Sequence, residues 1–223
     1  MKIEALIFDI DGTVYSNNLM YLHTVPLFLR HPRTMLAFSK ARKKLHYDTA
    51  HIDSSGLSFA QYQYNLLGRL RGISSEQAQH KLDNFRNQWE TIFNFIKPYK
   101  QFKPMVEHFK AKGLKLALLS DFPLGKKMER LKLDGIWDAA LCTEDTGALK
   151  PDVRGFLAVA QAIGVNPANC LYVGNSYKFD VIGASKAGML TAHLKWGKAK
   201  KGSLAGFTFY NYDNLKSFIE SKI

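Results

Sequence analysis

Cysteine is scarce in this sequence: only Cys142 and Cys170 occur among 223 residues. Two thiols are too few for a disulfide framework in a chain this long, so both are expected to be small core residues at strand edges and the setting a reducing cytoplasm. Long apolar runs are missing too. No segment reaches the roughly 18 uninterrupted apolar residues that a membrane span needs, and the longest candidate, LMYLHTVPLFL at 19–29, is interrupted by His23 and Pro26. The opening MKIEALIFDIDGT carries Glu4, Asp9 and Asp11 and lacks a small-residue cleavage site, which argues against a secretory signal. The seven histidines show no metal-ligand spacing. Acidic residues are few as well, 19 against 31 basic ones, and the net charge of +12 favours anionic partners: phosphorylated metabolites, nucleotides, nucleic acid or an acidic membrane surface. What remains is ordinary globular composition, 46% hydrophobic and 22% charged, enough to bury one domain or one domain with an insert.

The C-terminal half has a strand-then-helix rhythm. LKLALL (114–119) reads as a strand and 124–133 as a helix; 139–142 is a short strand, followed by a helix over 152–163 that starts at Pro151 and Asp152. CLYV (170–173) leads into a helix over 179–187, then come a strand at 190–194, a GFTFY strand and an amphipathic helix over 212–221. Together with the opening strand, this predicts an α/β, Rossmann-like parallel sheet covered by helices. Residues 16–98 break the rhythm. Their patterns are helical, including SFAQYQYNLLGRLRG and a segment opened by a Ser74–Gln77 capping box, so they read as an all-helical insert, with a crossover helix over 102–112 returning the chain to the sheet. The expected division is a core of 1–15 and 99–223 and a helical cap of 16–98, able to act as a lid. The basic run at 30–47 reads as a solvated helix face.

LIFDIDGTVY (6–15) runs an apolar strand into two carboxylates one residue apart. In extended chain Asp9 and Asp11 face the same way, and Gly12 lets the chain turn sharply beyond them. Two carboxylates in one pocket call for a proton or a cation between them, or for one of them to act as a nucleophile. Three further features fall at the carboxyl ends of the expected strands: Ser120 in LLSD, Lys150 in ALKPD, and Asn175 with Asp180 in GNSYKFDVIGA. A nucleophile, a second carboxyl group, a hydroxyl, a cation and metal-ligand oxygens make up an inventory for phosphoryl transfer.

With these four motifs in order, the sequence resembles the haloacid dehalogenase superfamily, specifically its Mg-dependent phosphatases with a helical cap between the first and second motifs. The resemblance spans the whole chain. It implies that Asp9 attacks phosphorus to form an aspartyl-phosphate, and that Asp11 protonates the leaving oxygen and then deprotonates water. Ser120 and the backbone amide of Asp121 would hold the phosphoryl oxygens, with Lys150 neutralising charge. Mg2+ would be held by Asp9, the Asp11 backbone carbonyl, Asn175 and Asp180. Many relatives have Asp where this chain has Asn175, so one formal charge near the metal is missing.

The leading expectation is a phosphatase acting on a small phosphorylated metabolite. A phosphomutase and a haloacid dehalogenase remain alternatives, the second disfavoured by Asp11, because displacement of halide needs no protonated leaving group. A nucleic-acid or anionic-surface binding protein with a vestigial site is the alternative of a different kind.

Overall fold

Ala5–Phe8 form β1, in which no side chain is exposed. A strand buried on both faces belongs in the middle of a covered parallel sheet, and β1 lies there. The computed structural model describes residues 2–197 and 201–223. Its sheet has the order β3-β2-β1-β4-β5-β6, with β2 Lys115–Ser120, β3 Ala139–Cys142, β4 Cys170–Gly174, β5 Leu190–Leu194 and β6 Phe207–Phe209. Every pairing is parallel; Phe8 stands level with Leu118 on one side and with Val173 on the other. The strand order reverses direction between β1 and β4, the place where ligands bind in such sheets.

Side chains alternate between the two faces of each strand. Leu6, Phe8, Leu118 and Val173 pack with Phe102 and Phe109 of α6 (Phe102–Ala111) and with Leu215 of α10 (Tyr212–Glu220). On the other face Ile7, Ala117, Leu119 and Tyr172 meet Phe156 and Val159 of α8 (Val153–Ala162). The start of α8 is the expected one, since the Asp152 carboxylate accepts the Arg154 amide.

Between β1 and α6 the chain is helical: α1 Asn17–Arg30, α2 Pro32–Leu45, α3 Thr49–Ser54, α4 Phe59–Arg71 and α5 Ser75–Glu90. Reciprocal capping boxes open two of them, Ser58 with Gln61 on α4 and Ser74 with Gln77 on α5. Phe38, Leu67, Leu82 and Phe85 of α2, α4 and α5 form a separate apolar cluster. No helix among the described residues is long and apolar enough to cross a membrane.

Three local expectations change. The helix expected over 124–133 is only α7, Lys127–Arg130, because Pro123 and the positive-φ residues Gly125 and Lys132 interrupt the pattern on both sides. The helix expected from 179 begins earlier, as a wide turn over Tyr177–Val181 in which the Asp180 and Val181 amides both donate to the Ser176 carbonyl, before α9 at Ile182–Lys186. The basic run is not a wholly solvated face either. Thr34, Phe38, Ala41 and Leu45 give α2 a buried side, and Arg42 is buried with them.

Candidate active site

The site is built where β1, β2 and β4 end. Asp9 comes directly after β1; its amide donates to the Val173 carbonyl of β4 at 2.9 Å, so the backbone is fixed before the chain leaves the sheet. Gly12 then turns with φ of +90°, and a Cβ there would collide with the side-chain amides of Asn175 and Asn17. That contact brings the fourth motif and the start of α1 against the first motif.

Asp9 is buried. Its Oδ2 accepts from the Thr13 hydroxyl at 2.8 Å and its Oδ1 from Lys150 Nζ at 2.7 Å. Burial, opposed by Lys150 and reinforced by the Asp180 and Asp11 charges, pushes the Asp9 carboxyl up to about 7. Lys150 Nζ also donates to Asp180 Oδ1 at 2.8 Å and lies 3.3 Å from the Tyr172 hydroxyl. Burial works against the Lys150 charge, but Asp180 and Asp9 hold its ammonium well above the ordinary lysine range. Asp180 is itself held at Oδ2 by the Ser176 amide at 2.8 Å, and its carboxylate lies so close over Gly174 that any Cβ there would clash.

Asp11 takes a different cation. Lys127 Nζ stands 3.0 and 3.2 Å from its two oxygens, the Tyr15 hydroxyl donates to Oδ1, and the Ser120 hydroxyl lies 3.5 Å from Oδ2. Lys127 is fully buried, its ammonium 4.8 Å from the ring centres of both Trp89 and Phe93, so apolar rings and one carboxylate form its surroundings. Ser120 Oγ also accepts the Phe122 amide at 3.1 Å. The Asp121 carboxylate accepts from the Thr143 hydroxyl at 2.7 Å and from the Lys150 amide at 3.1 Å, tying the loop that carries Lys150 to the end of β2. All the residues singled out in the sequence therefore stand in one cluster.

Two members had no sequence signal. Lys127 lies in GKKMER, a stretch that reads as solvated charge, and its partner Asp11 is 116 residues away. Arg42 donates to the Asp121 carbonyl, to Gln63 Oε1 at 3.2 Å and to Glu144 Oε1 at 2.6 Å, while Arg86 of α5 reaches both Glu144 oxygens at 3.0 Å. This arginine pair fastens α2 and α5 onto the loop after β3.

Among the described residues no three His, Cys, Asp or Glu side chains converge as a metal site. The donors expected here are different: the Asp9 and Asp180 carboxylates, the Asn175 amide and the Asp11 carbonyl, an oxygen-only set suited to a hard cation. The charges agree with it. Three carboxylates, Asp9, Asp11 and Asp180, face two ammonium groups, Lys127 and Lys150, leaving one negative charge uncompensated. Burial raises the Asp9 carboxyl, and a cation beside it would favour its charged form instead.

A family profile described as haloacid dehalogenase-like hydrolase matches residues 3–188. The chain belongs to that family. Among curated relatives it is 29% identical to a phosphoglycolate phosphatase of Aquifex aeolicus over 99% of each chain. It is 26% identical to a glyceraldehyde 3-phosphate phosphatase of Methanopyrus kandleri, over 88% of this chain and 85% of that one. A solved 2-haloacid dehalogenase of Pseudomonas syringae superposes with a TM-score of 0.71 at 21% identity, covering 98% of this chain and 99% of that one. That likeness shows the fold.

Proposed function

We propose that this hydrolase is a phosphatase that cleaves a small phosphorylated metabolite through an aspartyl-phosphate on Asp9. The observation that carries the reading is the ion-pair arrangement: Asp9 on Lys150 and Asp11 on Lys127, two carboxylates side by side with separate partners and therefore free to take separate roles. An Asp9 oxygen attacks phosphorus as the bond from phosphorus to the ester oxygen breaks. Asp11, entering the cycle protonated, gives that proton to the departing alkoxide; the carboxylate left behind, the form paired with Lys127 here, then takes a proton from the water that attacks the same phosphorus and releases Asp9. Tyr15 and Lys127 orient the Asp11 carboxylate between these steps. Ser120 and the Asp121 amide hold the phosphoryl oxygens, and Lys150 balances charge on Asp9 and the transferred group. Asp9, the Asp11 carbonyl, Asn175 and Asp180 would hold Mg2+, which when bound neutralises charge on the phosphoryl group.

In this reading residues 16–98 are the cap and residues 1–15 with 99–223 the core. The relatives named as phosphatases support the choice, and so does Asp11, because a phosphate ester needs its leaving oxygen protonated whereas halide does not. Both cysteines are free thiols and buried, in keeping with a reducing, cytoplasmic setting. Phosphate release from a panel of phosphorylated metabolites with magnesium tests the proposal: turnover by the wild-type enzyme, absent in Asp9→Asn, is expected. A wild-type protein inactive on every ester, or an active Asp9→Asn, would refute it.

A further inference from the structure

A cavity of about 680 Å³ lies between the helical segment and the carboxyl end of the sheet. Its walls come from α1, α2 and α5 and from two loops of the site. The loops contribute Phe122, next to Asp121, and Phe179, next to Asp180, while the helices contribute Met35, Phe38, Phe85 and Trp89. The cavity borders the carboxylate cluster through shared walls. Trp89 is the ring under Lys127, the partner of Asp11, and His46, stacked on Phe179 at 4.1 Å, has its Nδ1 2.6 Å from the Lys150 carbonyl.

Of the four lysines and arginines that line this cavity, three are engaged elsewhere, and the fourth, Lys43, is exposed. Arg42 gives both terminal nitrogens to Asp121, Gln63 and Glu144; Arg86 gives Nη2 to Glu144; Lys178 lies 4.7 Å over the Tyr47 ring. Only Nε of each arginine is buried without a partner. Lys43, Glu90, Ser39 and Thr24 offer polar partners at a few points, but most of the wall is apolar, and there an occupant rich in hydroxyls would be buried with unmade hydrogen bonds. An apolar occupant meets aromatic and thioether surface instead.

We propose that this cavity takes the apolar body of the substrate, so that the preferred substrates are phosphomonoesters of alkyl or aryl alcohols rather than of polyols and sugars. The assignment rests on the phosphatase reading of Asp9 and Asp11 for its phosphate end. Its size is in the range of small-ligand pockets and exceeds what a two- or three-carbon phosphate fills.

Two measurements separate the two claims. Phosphate release with magnesium is followed for methyl, butyl and hexyl phosphate and for glycerol 1-phosphate; in parallel, binding of methylphosphonate and hexylphosphonate, which cannot be hydrolysed, is read by calorimetry. Each buried methylene gains up to about fourfold. Hexyl phosphate should therefore exceed methyl and glycerol phosphates in kcat/KM by at least about tenfold, and hexylphosphonate should bind tighter than methylphosphonate by a similar factor. Ser39→Trp, at an exposed α2 position on the cavity wall, fills the space and should bring the hexyl-to-methyl ratio to within about twofold of one. Turnover that is flat with chain length overturns the cavity assignment and leaves the phosphatase reading standing. Absent turnover with tight hexylphosphonate binding does the reverse, and absent turnover with equal binding overturns both. A preference that survives Ser39→Trp overturns the location.

Discussion

Asp9, the proposed nucleophile, works against the fold that carries it. Its carboxyl is raised by burial from 3.8 to about 7, so the folded protein disfavours the charged form that the proposed attack on phosphorus would require. A raised folded-state pKa means that stability is fully present below about pH 4 and is lost as the pH rises through about 7. Asp9→Asn should therefore raise the melting temperature of the metal-free protein at pH 8 by about 3 °C or more, a gain that shrinks as the pH falls toward 4. Calorimetric scans across that range check it, and a variant no more stable than wild type at pH 8 would contradict it. The same substitution should cut kcat by more than about a hundredfold, equivalent to about 2.7 kcal/mol of barrier. Asp11→Asn acts differently. It should slow alkyl phosphates far more than activated aryl phosphates, because only the former depend strongly on protonation of the departing oxygen; equal losses on both, measured as kcat/KM, would remove Asp11 from the acid role.

The elements differ in how plainly the sequence announced them. Ser120, Lys150 and Asp180 were legible because each stands at or just beyond the end of a short apolar strand, and a parallel sheet gathers its strand ends on one side. The capping boxes of the helical segment and the amphipathic α10 were equally readable, since their signals are local. Lys127 and Arg42 were not. A cation on a short or basic helix reads as solvated, and nothing local says that Lys127 will be buried on an acid 116 residues away or that Arg42 will meet a glutamate 102 residues away. The second of these contacts joins α2 to the core loop, with Arg42 and Glu144 side chains only 7% and 8% exposed, and Arg86 joins α5 to the same glutamate. Glu144→Gln leaves two guanidinium groups facing a neutral amide in a buried position, and it should cost about 3 kcal/mol in denaturant unfolding. A loss under about 1 kcal/mol would mark the contact as solvent-screened.

At the scale of the whole molecule, the net charge of +12 attracts a phosphate dianion before any contact is made. Raising salt from about 25 to about 250 mM should raise KM severalfold and leave kcat nearly unchanged, since screening weakens encounter but not the bound chemistry. A kcat that falls in parallel would place the salt effect inside the site. The order of the strands has a consequence for the way the chain is made. β1 is the first strand to be synthesised, yet its two neighbours begin at Lys115 and Cys170. Until both have left the ribosome, an apolar ribbon with bare edges waits for partners at either side, and the intervening helices offer it none of the missing strand pairing. Asp9 and Asp11 are translated early, and the lysine paired with Asp9 arrives 141 residues later. Such long-range closure slows folding and lengthens the time during which the newborn chain can stick to others. In a refolding experiment, far-ultraviolet ellipticity from the helical segment should therefore return before any phosphate is released.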